Sequence, residues 1–185
     1  MKRYVYIVLS HTSSAFATLI KYCSRAEYTH VSLALDEELD EIYSFGRLKP
    51  RNPFIAGFVE EDIQKGTFAR FKNTYAGVYK VPVDEEQYNQ LLELIGEFKK
   101  DPRKYGYNLV GVVTLRFGIT CDRENKYFCS HFVAEVLKES SILEFDKAPN
   151  NVTPIDFNKK MNQHELIYMG KLALYPKRIN ELSYI

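Results

Sequence analysis

The sequence predicts an α+β fold, an antiparallel sheet packed against helices, and three features carry that expectation. Short apolar stretches with period-two alternation recur along the chain, separated by hairpin-sized polar turns. From Asp84 to Phe98 the apolar period becomes that of a helix, and a second amphipathic stretch, from about Phe128 to Ser140, begins on a cysteine. No repeat, low-complexity tract or Gly/Pro/Ser-rich linker divides the chain, so residues 1–185 are expected to form a single domain.

Taken in order, Tyr4 to Leu9 is an apolar run closed by Ser10 and His11, and predicts a first strand. Ser13 or Ser14 then caps an expected helix to about Ser24, whose stripe of Phe16, Leu19, Ile20 and Cys23 makes Cys23 a core thiol. Val31 to Asp36 and Ile42 to Phe45 read as an antiparallel hairpin around the acidic turn Glu37 to Asp40. Lys49 to Asp62 holds Pro50, Pro53 and Gly57 and reads as an irregular loop, a candidate lid. Gly66 to Lys72 and Tyr75 to Val81 alternate as strands of a second hairpin with Asn73 and Thr74 at its turn. Asp84 with Gln87 opens a helix as a capping box, with Tyr88, Leu91, Leu92, Ile95 and Phe98 on one face. Further helices are expected from Asn108 to Phe117, from about Phe128 to Ser140, and from Pro154 to Met161, where Thr153 caps and Pro154 takes the first turn. Leu166 to Leu174 reads as a closing strand.

Composition excludes several function classes. Lys plus Arg number 25 against 24 Asp plus Glu, which provides no broad basic field for a phosphate backbone, so nucleic acid is not an expected partner. The apolar run at the amino terminus is too short for a secretory core, and Leu109 to Phe117 contains Arg116 and falls below the ~18 residues a membrane span needs. A cytoplasmic location is therefore expected, with Cys23, Cys121 and Cys129 as thiols rather than bridges. His11, His30, His131 and His164 show no ligand spacing and the cysteines form no C-x-x-C pair, so neither metal nor cofactor is predicted.

Chemistry concentrates on two segments. Cys129 stands at the start of its helix, where free N–H groups and the helix dipole favour a thiolate. The same residue shares a face with Phe132, Val133 and Val136, which also suits a buried, inert thiol. His131 is rotated by about 200° from it along a helix and is expected at the surface. His30 begins a strand in which His30, Ser32 and Ala34 share one face, and those small residues leave room for a helix to pack beside the imidazole.

Together, Tyr28-Thr-His-Val-Ser-Leu-Ala-Leu35 and Tyr127-Phe-Cys-Ser-His-Phe-Val-Ala-Glu-Val136 resemble the histidine and cysteine motifs of the circularly permuted NlpC-type cysteine hydrolases, the YiiX-like and lecithin:retinol acyltransferase-like branch of the papain superfamily. In that branch the histidine precedes the cysteine, as here, and Tyr105-Gly-Tyr-Asn-Leu-Val-Gly111 is similar to the aromatic segment that often precedes the cysteine helix. The resemblance implies a permuted papain-like fold with the cysteine helix against the sheet, Cys129 as nucleophile and His30 as base. It places the third catalytic position at Ser44, where the family often has a carboxylate; Glu41 or Asp36 takes that role if the register differs. The oxyanion would be held by the Cys129 N–H and a second donor from the amino-terminal region, Ser10 or a nearby tyrosine. The implied activity is peptidase or amidase hydrolysis through a thioester, with a peptide, small-molecule or acyl substrate. Acyl-ester or lipid chemistry is the alternative, favoured by a long apolar channel, and a binding module without catalysis is a third reading, favoured by the missing carboxylate.

Overall fold

The computed structural model describes residues 2–12, 27–49, 52–115 and 118–176, without the side chains of Pro53 and Phe54. It is an α+β protein built on an eight-stranded sheet: β1 (Arg3–His11), β2 (His30–Ala34), β3 (Ile42–Lys49), β4 (Asn52–Glu61), β5 (Tyr75–Val83), β6 (Gly106–Tyr107), β7 (Lys126–Tyr127) and β8 (Glu165–Lys171). Among the described residues five helices accompany it: α1 (Gly66–Arg70), α2 (Glu85–Lys100), α3 (Leu109–Leu115), α4 (Cys129–Glu139) and α5 (Pro154–Met161). The strand order is β7-β6-β4-β3-β2-β1-β5-β8, and every pair is antiparallel except β6 with β7.

Central strand β1 is covered on both faces, which is why Tyr4 to Leu9 reads as an unbroken apolar run. Val5, Ile7 and Leu9 join Val31, Leu33 and Phe45 beneath α2, α4 and α5, which contribute Leu91, Ile95, Phe98, Phe132, Val133, Leu137, Phe157 and Met161. Tyr6 and Val8 lie on the opposite face with Ala34, Ile42 and Val78, covered by Phe68, Ile63 and Leu172.

The expected β2–β3 hairpin forms, with Leu33 opposite Tyr43 and Ala34 opposite Ile42. Its turn is held by the Asp36 carboxylate, which accepts from the Asp40 and Glu41 amides at 2.9 and 2.8 Å. The Asp84–Gln87 capping box is present on α2, and Thr153 with Asp156 makes a second one on α5. Three expectations need correction. The Lys49 to Asp62 loop is instead dominated by the ten-residue strand β4, which pairs with β3 from Ile42 opposite Glu61 to Arg47 opposite Ala56, with an irregularity between Arg47 and Lys49. Gly66 to Lys72 contributes the short helix α1, with Phe68 turned into the second core, instead of a strand of a hairpin. Its expected partner β5 pairs with β1 and β8, a long-range choice that local alternation does not encode. The closing strand ends at Lys171 and Leu172–Leu174 form a 3₁₀ turn. The helix expected from Ser13 to Ser24, and Cys23 with it, lie outside the described residues.

Candidate active site

The site lies where β2, β4 and the amino terminus of α4 converge. Cys129 is the first residue of α4, and the residue before it, Phe128, is extended (φ −123°, ψ 171°) with no side-chain cap. The first turn of an uncapped helix presents its N–H groups to whatever lies beside them, and here that is the Cys129 sulfur. Two-residue strand β7 leads directly into this turn and is fixed to β6 by Gly106 N donating to Asn125 O and Asn108 N donating to Tyr127 O, both at 2.8 Å. The same pair of strands carries Tyr107, so one small edge of the sheet sets the positions of both Tyr107 and Cys129.

His30 opens β2, opposite Ser10 on β1. Its Nε2 meets Glu61 Oε1 at 2.9 Å, and Glu61 ends β4. Ser32 donates to the other carboxylate oxygen in a very short hydrogen bond. With Nε2 engaged by Glu61, the other ring nitrogen, Nδ1, is left toward Cys129, whose sulfur stands close enough to His30 for each group to bear on the other's titration. The side chains of His30 and Glu61 are only 18% and 10% exposed and Cys129 is 7% exposed, so bulk water does little to weaken the charges.

Each group's titration follows from this arrangement. Burial alone would keep His30 neutral, but the Glu61 carboxylate and the sulfur of Cys129 outweigh it and raise the imidazole well above its ordinary value. Burial would keep Glu61 protonated, yet the His30 charge and hydrogen bonds from His30 and Ser32 hold its carboxyl below the usual range. Burial pushes the Cys129 thiol up, and the His30 charge, the His30 hydrogen bond and the backbone N–H groups of Val31 and Ser130 more than reverse it, leaving the thiol lowered. The three shifts run the same way, each toward the charged form of its group.

The residues singled out from sequence fall differently around this row. Cys129 and His30 are brought together. Ser44 is completely buried beside Glu61, where it helps hold the carboxylate charge without a well-formed hydrogen bond of its own, and the group on the His30 ring is Glu61 instead. Glu41 accepts from the Tyr43 hydroxyl at 3.0 Å and Asp36 is spent on its own turn, so neither reaches the imidazole. The small residues beside His30 serve another purpose than expected. Helix α4 packs on the Val31 and Leu33 face of β2, while on the face of Ser32 and Ser44 it is the Glu61 side chain that lies across the sheet toward His30. A Cβ on Gly46 would stand 3.5 Å from Glu61 Oε1, an ordinary van der Waals contact.

His131 does point away from the site, but it is 6% exposed rather than at the surface. Its Nε2 meets Glu135 at 3.1 Å, Glu135 also accepts from the Tyr127 hydroxyl at 2.9 Å, and the ring lies against Tyr127. Ser10 is fully buried on β1 and stands outside the cleft beside Cys129. Tyr107 does line that cleft, and its hydroxyl feels the Cys129 charge: burial and the thiolate hold the phenol above its ordinary range, opposed by Arg47, so it remains a donor. Sequence pointed to its segment but not to its role.

The cleft offers about 90 Å³ of water-accessible space and is lined by Thr12, Thr29, Arg47 and Tyr107 together with His30 and Cys129. Among the described residues no three His, Cys, Asp or Glu side chains gather as a metal ion requires, and no helix is long and apolar enough to cross a membrane. No protein-family model and no curated protein matches the chain.

Proposed function

We propose that this chain is a cysteine hydrolase of the circularly permuted papain-like kind, a single domain in which Cys129 is the nucleophile, His30 the general base and acid, and Glu61 the residue that orients and charges His30. The observation that carries this reading is the imidazole held between the Cys129 sulfur and the Glu61 carboxylate. In chain order the three are histidine, carboxylate, cysteine, as the resemblance to the permuted branch requires. Acid, base and nucleophile in contact within a cleft are the arrangement that acyl transfer needs.

In the first half-reaction the Cys129 thiolate adds to the substrate carbonyl carbon, and the negative charge moves to oxygen. The Cys129 N–H and the Tyr107 hydroxyl, which lines the same cleft, would receive that charge. Collapse breaks the bond to the leaving group, which takes the proton from His30, and a thioester remains on Cys129. His30, now neutral, removes a proton from water, the hydroxide adds to the thioester carbonyl, and the acid product leaves with the thiolate restored. Glu61 offsets the imidazolium charge throughout and does not itself change protonation.

Amide or peptide hydrolysis is the first substrate reading. A lipid substrate calls for a long apolar channel, and the cleft offers about 90 Å³ among the described residues. A binding module without catalysis was favoured by a serine in place of the third carboxylate; Glu61 supplies that carboxylate from another strand.

The test is the pH dependence of Cys129 alkylation by iodoacetamide, with Cys23 and Cys121 replaced by serine, in the otherwise native protein and in His30→Ala. The expected acid limb lies well below the ~8.5 of an ordinary thiol and moves up without His30. An unreactive Cys129, or one indifferent to His30, refutes the reading.

A further inference from the structure

Helix α4 begins without the side chain that ordinarily closes a helix start. An N-cap Ser, Asp or Asn would accept from the second or third N–H of the helix. Here the second is that of Ser130, which serves the Cys129 sulfur instead, so a capped helix would compete with the thiolate for its donor. The residue in the cap position is Phe128, and the one hydroxyl in the first turn, that of Ser130, is turned away and donates to Val152 O at 2.7 Å. The corner between β7 and α4 is therefore held from elsewhere.

Glu135, further along the helix, reaches back to it. One carboxylate oxygen accepts from the Tyr127 hydroxyl at 2.9 Å and the other meets His131 Nε2 at 3.1 Å. Tyr127 belongs to β7 and His131 to α4, so one side chain ties strand to helix across the position of Cys129. The His131 ring fills the corner itself, 4.6 Å from the Tyr127 ring and 5.4 Å from that of Phe128, the two residues before Cys129. Burial would keep Glu135 protonated, but the hydrogen bonds from His131 and Tyr127 outweigh it and hold the carboxyl below its ordinary range, so the carboxylate accepts from both. His131 thus donates from Nε2, and its Nδ1 is left buried with no hydrogen bond. An unpaired buried nitrogen costs stability, so packing alone does not account for an imidazole at this position.

We infer that Glu135 is a positioning residue: by bridging Tyr127 and His131 it fixes the β7–α4 corner, and with it the Cys129 sulfur and N–H relative to His30 and Tyr107. The inference rests on the hydrolase reading and adds to it a residue that stands outside the cleft lining. Tyr107 pairs with Tyr127 across β6 and β7, so the same bridge bears on the nucleophile and on the proposed oxyanion donor.

Two reagents separate positioning from reactivity. Acylation of Cys129 by p-nitrophenyl acetate needs the sulfur and the oxyanion donors aligned, whereas alkylation by iodoacetamide needs only the thiolate. Their rate ratio at one pH, in protein with Cys23 and Cys121 replaced by serine, cancels any change in thiolate fraction. The ratio is expected to fall about tenfold in Glu135→Ala, less than the ~100-fold that a misplacement of about 1 Å can cost, and about threefold in Tyr127→Phe, which removes one arm of the bridge and keeps the ring. Glu135→Gln retains most of the ratio, because its amide can donate to the Tyr127 oxygen and accept from His131. Ser140→Ala is the control for stability alone: it removes a buried hydroxyl that donates to Val136 O at 2.6 Å at the far end of the same helix, and it lowers the urea midpoint without moving the ratio. The Glu135 side chain is 33% exposed, so its removal is not a core deletion, and Tyr127→Phe keeps the test decisive should Glu135→Ala fail to fold. A ratio unchanged in these two variants, or one that falls as far in Ser140→Ala or Glu135→Gln as in Glu135→Ala, overturns the positioning role and leaves the thiolate reading intact. A native Cys129 that iodoacetamide does not alkylate overturns the hydrolase reading and this inference together.

Discussion

Replacing Glu61 by Gln tests the row of charges at its least expected member. The substitution keeps the size of the side chain and an oxygen for Ser32, and removes only the charge that faces His30 Nε2 at 2.9 Å. Two unit charges about 4 Å apart in a medium of effective dielectric near 20 attract by ~4 kcal/mol. The residual 18% and 10% exposure of the two side chains screens this attraction in part, and its loss lowers the imidazole's titration. The prediction is that the imidazolium is lost from the neutral range and that the acid limb of Cys129 alkylation moves up toward the ordinary thiol value. At pH 6 the iodoacetamide rate should then fall at least about tenfold, since one pH unit of titration is tenfold in thiolate. Stopped alkylation followed by mass analysis of the Cys129 peptide reads both limb and rate. A folded Glu61→Gln protein whose limb stays within about 0.3 pH unit of native would refute the reasoning, because the carboxylate would then contribute nothing to the thiolate.

The same variant should show a defined pH window in urea unfolding. Glu61 has a lowered folded-state pKa, so its contribution is present above the ordinary value near ~4.3 and lost as pH falls through the folded one; His30 has a raised value, so its contribution is present below ~6.5 and lost as pH rises through the folded one; the destabilisation by Glu61→Gln should therefore be largest between these two pH values. Tyr107→Phe should slow acylation of Cys129 by a nitrophenyl ester by about 10- to 100-fold, the loss of one oxyanion donor, while alkylation by iodoacetamide, which develops no oxyanion, changes far less; equal losses in both would remove Tyr107 from the oxyanion site. Ser44→Ala should leave the acid limb of alkylation nearly in place, and a shift as large as that of Glu61→Gln would return the orienting role to Ser44. Gly111→Ala should destabilise the fold by ~1–3 kcal/mol in urea, because the new Cβ would stand 2.7 Å from Asn108 Cγ and displace the amide that donates to Cys121 O at 3.0 Å and accepts from Gly111 N at 2.9 Å; an unchanged midpoint would show that Asn108 can move freely.

The parts of this fold that were legible in the sequence are those decided within about one helical turn or one strand. The capping boxes at Asp84 and Thr153 mark helix starts because the side chain that closes each box is three residues away, and the β2–β3 hairpin is marked by a turn whose hydrogen bonds lie within Asp36 to Glu41. Cys129 and His30 were legible for a related reason, each sitting at the end of an element whose own periodicity is clear. Glu61 was not. It belongs to a strand masked by Pro50, Pro53 and Gly57, and it reaches His30 across 31 residues of chain, a pairing set by the β3–β4 register. The one available signal was the cluster of small residues, Ser32, Ser44 and Gly46, on the His30 face, and it is read correctly only when one asks what must lie flat upon them. His131 was misjudged on the same scale: helical rotation turns it away from Cys129, but the aromatic rings of Tyr127 and Phe128 and the Glu135 carboxylate bury that side of α4 as well.

Why the row is ionic bears on what it is for. Taking charges out of water costs several kcal/mol for each ion, and well-packed apolar side chains of similar volume hold a fold together as well or better. On the same face of the sheet, Ile42 lies opposite Glu61 on β3 and belongs with Ile63 and Phe68 to the second core. The chain places a carboxylate beside it and provides Ser32 as a donor to that carboxylate. Each of those choices lowers the energy of the charged state and none of them improves packing. A site that retains three ionisable groups at the expense of stability, at the mouth of a cleft and beside a helix terminus, has the physical character of a reactive centre rather than of a structural contact.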